Sequence, residues 1–423
     1  MPGPMMRRAA LLLLPLVALS ANRPAQGEVL VDGFLFARGG ETVGQRSWLD
    51  GRWGRLRVGA AAPGDSAHFA LGEAQLAVDW QPSFHFGAYA HGLARYEEES
   101  LGDEAGLVEA YVHATAYLRE RDELRFRLGQ FILPTSRENV DPLWATPYTL
   151  TYSAINSWIA EEVRPIGLLA EYELAAGERS RLRLGTSVFG GNDTSGALLA
   201  WRGWGLQDRL AVLGEWLPLP NLVTLRDGRL FAQQSDRGTR PFGEDLDDRL
   251  GWAGYLSWTA GQPGDERAVL QATHFDNRGD RALHVNEYAW KTRFDQLGAE
   301  VRLPGETVLA GELMTGETGM GVGRTDLDFE AAYLLLSWSR GPWRLSTRWD
   351  RFETEERDFH PQGDVNDETG DAWTFALLYR IGSRVRLGAE WLELSADRPA
   401  AVAAGANPDT DGRTVQVEVR VSW

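Results

Sequence analysis

The last nine residues constrain the fold more than any other stretch. Val415, Val417, Val419, Val421 and Trp423 alternate with Gln416, Glu418, Arg420 and Ser422, and a strand puts such neighbours on opposite faces, one oily and one polar. The same period of two returns in Leu124, Phe126 and Leu128 against Arg125 and Arg127, and in Leu182 and Leu184 against Arg181 and Arg183. It returns again in Tyr288, Trp290, Thr292 and Phe294 against Lys291, Arg293 and Asp295, and in Trp373, Phe375, Leu377 and Tyr379 against Thr374 and Arg380. The segments average about the 9–11 residues of a transmembrane strand. A membrane helix needs about 20 apolar residues, and the one long apolar run lies at the extreme N-terminus, so a helical bundle is excluded.

Connections between the strands alternate in length. Short turns are read at 81–83, 119–123, 176–179, 261–266, 304–306, 341–342 and 382–383. Longer polar stretches lie at 97–105, 134–163, 191–206, 226–248, 276–286, 317–327, 354–369 and 396–411. That rhythm predicts an all-β fold, a transmembrane antiparallel up-and-down β-barrel with tight turns on one rim and loops on the other. Counting from Val31 gives about 18 strands, with 16 the alternative if Leu210–Leu225 is a loop. A soluble propeller would repeat at about 40–50 residues, and no such repeat is visible. Aromatic residues near strand ends, Trp80, Tyr96, Trp338, Trp349, Tyr379 and Trp423, suit a membrane interface.

An arginine facing lipid at mid-depth costs about 2–4 kcal/mol. The register is therefore expected to turn Arg125, Arg127, Arg181, Arg183, Arg344, Arg348, Arg384 and Arg386 into a hydrated interior, which a barrel of about 16–18 strands is wide enough to hold. Arg7 and Arg8 followed by the apolar run Ala9–Ala21 read as a secretory signal covering 1–27, with the barrel occupying 28–423. The lack of cysteine removes disulfides and thiolate metal sites. A net charge of -17 with pI near 5.0 gives no basic face for nucleic acid.

The most distinctive stretch is Gly129–Leu169, with about 30 residues of loop inside it, too long to be a simple connection. Trp144, Tyr148, Tyr152, Ile155 and Trp158 need a surface to pack on. The loop 134–163 is expected to fold into the lumen as a constriction, with Arg137, Glu138, Asp141, Glu161, Glu162 and Arg164 setting the field for a solute. The alternative is a folded outer loop whose charges pair among themselves. Acidic clusters at 97–104, 244–248 and 364–371 read as solvated loop faces, or as groups bridged by divalent cations to lipopolysaccharide. His85 and His91, six apart, do not make a metal site on spacing alone. With no G-x-S-x-G and no histidine-to-serine spacing of recognisable type, neither catalysis nor a cofactor is expected.

The segment 129–169, with Gly106-Leu107-Val108-Glu109-Ala110 and Ser47-Trp48-Leu49-Asp50-Gly51, resembles a family of bacterial outer-membrane porin-like proteins grouped loosely with the phosphate-selective porins O and P. The resemblance implies a Gram-negative outer-membrane location among lipid and lipopolysaccharide and passive diffusion of small hydrophilic solutes or ions. It also implies a homotrimer, and Trp423 as the terminal aromatic read by the barrel assembly machinery. Phosphate-selective members line their pores with lysine and arginine, whereas this chain has one lysine, Lys291, and is net acidic. The competing reading is a loop-plugged barrel with a binding, adhesion or envelope-structural role.

Overall fold

The computed structural model describes residues 27–97, 104–119, 122–234, 237–262, 264–321, 324–358 and 365–423. The signal segment expected at 1–27 falls almost wholly outside them, as do Glu98, Glu99 and Asp103 of the first acidic cluster. The first eight wall strands are β1 (Glu28–Gly44), β2 (Ser66–Ser83), β3 (Phe86–Tyr96), β4 (Ala105–Arg119), β5 (Asp122–Gln130), β6 (Ile166–Ala175), β7 (Ser180–Gly190) and β8 (Gly251–Gln262). They continue as β9 (Asp265–Asp276), β10 (Lys291–Leu303), β11 (Thr307–Met320), β12 (Thr325–Arg340), β13 (Trp343–Glu356), β14 (Glu368–Ile381), β15 (Val385–Asp397) and β16 (Gly412–Ser422). Each pairs antiparallel with the next, and β16 returns to β1 with Phe34 opposite Ser422 and Gly44 opposite Gly412. Closure satisfies every wall strand on both edges, the condition for a sheet in hydrocarbon.

The barrel thus has 16 strands rather than 18. The two extra strands were expected around Leu210–Leu225, which instead belongs to the long connection between β7 and β8, here L4 (191–250). Pro218 and Pro220 remove ladder donors there, and among the described residues the local pairing is limited to Leu217–Pro218 with Gly238–Thr239. The turns fall close to where the sequence places them, although β2 runs through Ser83 and its turn is 84–85. The backbones of Trp423 and Gly33 exchange hydrogen bonds of 3.0 and 3.2 Å at the seam. A Cβ on Gly33 would come within 2.6 Å of the Trp423 indole, so a side chain there would push that ring aside.

Alternation does divide the wall into two faces. Val415, Val417, Val419 and Val421 are exposed outward, while Gln416 and Glu418 are buried inward. Trp80, Trp338, Trp343 and Trp423 are also exposed near the short-turn rim. One assignment reverses. On β10 it is Thr292 and Phe294 that are buried inside, while Lys291, Arg293 and Asp295 are exposed. The outward parity continues as Leu297, exposed, and Val301, so the charged residues occupy the part of the wall above the oily belt.

Much of the interior is a hydrophobic core. Phe189, Phe275 and Phe294 stack from the wall with ring centroids 5.1 and 5.0 Å apart. Trp158 of the loop between β5 and β6 meets Phe294 at 5.5 Å, Phe329 at 5.2 Å and Trp204 at 5.9 Å, all edge-on. The arrangement is that of a packed protein interior, in which each ring contributes area and edge-to-face electrostatics together.

Candidate functional site: the loop-filled lumen

The loop between β5 and β6, residues 131–165 and here L3, lies inside the barrel. Its last turn is a helix, α1 (Ala154–Glu162), every residue of which is buried. Ser153 caps it, its hydroxyl accepting from the Asn156 backbone N–H at 3.2 Å. The helix ends at Val163, two residues before Pro165. The sequence expectation for 134–163 is a folded-in loop, with no helix in it. Ser153 three residues ahead of Asn156, with Ile155, Trp158 and Ile159 at helical spacing, is the signal that could have found α1.

Wall side chains grip L3 around most of the circumference. Glu109 on β4 accepts the Ile132 N–H at 2.8 Å, and Gln271 on β9 donates to the Pro134 carbonyl at 2.8 Å. Glu312 on β11 accepts the Arg137 N–H. Arg348 on β13 donates to the carbonyls of Thr151 at 2.7 Å and Tyr152 at 2.9 Å, and Asp350 accepts the Ala154 N–H at 3.1 Å. Glu390 on β15 holds the Thr151 N–H and hydroxyl at 3.2 and 2.8 Å, and Arg38 on β1 reaches the Leu150 carbonyl at 3.3 Å. These bonds tie L3 to β1, β4, β9, β11, β13 and β15.

L4 (191–250) packs against L3. The first N–H groups of its helix α2 (Ala197–Arg202) donate to Glu162, from Leu198 at 2.9 Å and Leu199 at 3.2 Å. Arg202 pairs with Glu161 at 2.7 Å. Beside them, Asp208 receives Arg38 at 2.8 Å and Arg57 at 3.0 Å, and Arg57 also meets Glu97 at 2.6 Å. These two arginines hold the Asp208 carboxyl below its ordinary range, although burial works the other way.

The residues singled out from the sequence divide into two groups. Glu161, Glu162 and Arg164 are wholly buried where L3 meets L4 and face no vestibule; Arg164 donates to the carbonyls of Ala160, at 2.9 Å, and Ala211, and lies over the Phe242 ring at 4.6 Å. Glu138 is buried against Arg348 at 2.6 Å. Arg137 is half-buried and Asp141 exposed on the side of L3 away from L4. That side opens onto the short-turn half of the lumen, a vestibule of paired charges: Arg125 with Glu123 at 2.5 Å, Arg127 with Glu171 at 3.4 Å, Arg181 with Glu266 at 2.7 Å and Arg183 with Glu173 at 2.9 Å. Arg384 is not on the wall but exposed in the turn 382–384. Arg38, Arg57 and Asp208 went unnoticed because only the fold brings them together.

Among the described residues the histidines do not converge. His85 lies in a turn and contacts the Thr115 carbonyl at 2.9 Å, whereas His91 is sealed against Gln75 at 2.9 Å and Glu109 at 3.7 Å. Of the acidic loop residues, Asp193, Asp245 and Asp247 bring carboxylate oxygens within 4.8 Å of one another. Burial, with those two neighbours, pushes the Asp193 carboxyl up to about 7.

Burial likewise pushes the Glu162 carboxyl up to about 7, despite its hydrogen bonds from Leu198, Trp158 and Leu199. A carboxyl raised on folding stabilises fully below its unfolded value near 4.5, and that contribution is lost as pH rises through about 7. Glu162→Gln is therefore expected to flatten the pH dependence of the L3–L4 contact by up to about 3 kcal/mol between pH 5 and 8. Denaturant titration followed by tryptophan fluorescence at the two pH values measures this, and equal slopes for both proteins would count against it.

Solved structures share this architecture at low identity. The outer membrane channel DcaP of Acinetobacter baumannii is 9% identical, with 95% of this chain and 99% of that one covered and a TM-score of 0.54. OmpTdeltaL8, a loop-deletion mutant of an outer membrane protein of Vibrio cholerae, is 9% identical over 94% and 99% of the two chains, with a TM-score of 0.51. OprB of Pseudomonas putida is 10% identical over 93% and 94%, with a TM-score of 0.50. No protein-family model and no curated protein sequence matches the chain. The closed wall and its lipid-facing belt make this a bacterial outer-membrane β-barrel with a porin fold.

Proposed function

We propose that the protein is an outer-membrane channel for small hydrophilic solutes or ions, with L3 and L4 folded into its lumen as the elements that restrict passage. The observation that carries this is the vestibule below L3. Its arginines and glutamates stay partly exposed and paired, from Arg125 and Glu123 to Arg181 and Glu266, as the lining of a water-filled passage requires and a sealed scaffold does not. Because these arginines are matched by carboxylates, the reading gives weak charge discrimination and does not favour the phosphate selectivity of porins O and P. Trp423 is offered to the assembly machinery before β16 closes on β1, and lipid and lipopolysaccharide surround the finished wall. Assembly as a homotrimer fits the same reading, although each barrel needs no neighbour to complete its wall.

A second reading has its own support: the grip of L3 on six wall strands suits a permanently plugged barrel with a binding or envelope-structural role. Planar-bilayer recording of the purified full chain separates the two. The channel reading expects brief, small openings and a reversal potential near zero in a salt gradient. Liposomes that do not swell in any sugar, with no openings in the bilayer, favour the plug.

A further inference from the structure

We propose that the cavity beneath L3, between Arg137 and the walls of β7, β8 and β9, is a binding site for a small hydroxy-monocarboxylate. This deepens the channel reading, on which its physiological meaning rests, but binding is measurable without conduction. The cavity has a volume of about 170 Å³ and is lined by Arg137, Gln271, Ser257, Thr259 and the Glu173 and Glu266 carboxylates with their arginines. At ~30 Å³ per water it holds the equivalent of about six waters, the size of a three- or four-carbon acid.

The charges in it do not cancel. Arg181 is matched by Glu266 at 2.7 Å and Arg183 by Glu173 at 2.9 Å. Arg137 is different: among the described residues its guanidinium makes no ion pair, its hydrogen bond goes to the uncharged Gln271 amide at 3.1 Å, and its Nε is buried without a partner. Glu312 accepts the Arg137 backbone N–H and not the guanidinium. The wall makes room for the side chain at Gly298, where a Cβ would lie 3.0 Å from the Arg137 Cγ. The buried Glu312 carboxyl feels the guanidinium at a distance without bonding it, so the cation's planar fork remains available to one carboxylate in a two-pronged hydrogen bond.

The remaining groups suit hydroxyls. Ser257 and Thr259 line the cavity with hydroxyls that hydrogen-bond to none of the described residues, and the Glu173 and Glu266 carboxylates add acceptors beside them. Those same carboxylates disfavour a second negative charge on the ligand. A single carboxylate on a short hydroxylated chain satisfies both requirements.

The test is saturation-transfer NMR on the full chain in detergent micelles, with glycerate, glycerol, malonate and sulfate as probes. Glycerate is expected to bind, and to bind about tenfold more weakly to Arg137→Gln and to Gly298→Val, which displaces the arginine stem. Arg413→Gln, on the outer face of the wall, leaves it unchanged. Glycerol binding as well as glycerate, or Arg137→Gln without effect, overturns the site. Malonate or sulfate competing as strongly as glycerate overturns the ligand class. Bilayer conductance is read separately, so a conducting protein without glycerate binding sinks this inference alone, and a binding protein without conductance sinks the channel reading alone.

Discussion

Deleting residues 135–160 opens the barrel, raising single-channel conductance by roughly an order of magnitude over the full chain. The deletion removes the gripped part of L3 and most of α1. The wall survives it, because each strand's backbone is satisfied by its neighbours and not by the loop. Glu109, Gln271, Glu312, Arg348 and Glu390 lose loop partners, yet they then face water, which hydrates them. Leu56, Leu199 and Trp204 lose the core around Trp158, so L4 loosens with L3. Conductance unchanged by the deletion, in a barrel shown by heat-modifiable electrophoresis to be folded, would rule out L3 as the closing element.

Arg348→Ala should release L3 with the largest effect of any single substitution. The guanidinium is fully buried. It joins Asp350 at 2.7 Å, Glu138 at 2.6 Å and the Thr151 and Tyr152 carbonyls at 2.7 and 2.9 Å. Alanine leaves two carboxylates facing each other inside the protein without their shared cation. Removing one partner from such a buried set costs about 3–5 kcal/mol, mostly the desolvation of what remains. The expected readouts are tryptic cleavage of native protein at Arg137 and Arg164 and more frequent openings in the bilayer. Arg348→Lys restores less than half of the loss, since an ammonium cannot reach both carboxylates and both carbonyls at once. Wild-type protease resistance in Arg348→Ala would show that L3 is held mainly by its apolar contacts.

The Glu138–Arg348 pair also shows where reading from the sequence stops. Each residue could be picked out alone, Glu138 as a loop acid and Arg348 as an inward arginine, but 210 positions separate them and no periodic pattern links them. Phe294 was misread for a related reason. Period two sorts a strand into faces, but above the oily belt the outward residues are charged and the inward ones are apolar, so composition points the wrong way there. The helix α1 is marked only by Ser153 and the spacing of Ile155, Trp158 and Ile159, because it is short and its polar residues, Asn156, Ser157, Glu161 and Glu162, are buried along with the apolar ones.

The sequence by itself determined the sheet, its turns, its oily belt and the presence of one long aromatic loop, because strand alternation and turn chemistry act over a few residues. Only the tertiary structure decided the strand count, the burial of L4, and whether a given charge faces water or a partner. Those depend on how distant loops share a single enclosed volume: filling the lumen with L3 and L4 turns an interior expected to be wet into a core at one end, and leaves the vestibule and its unmatched Arg137 at the other.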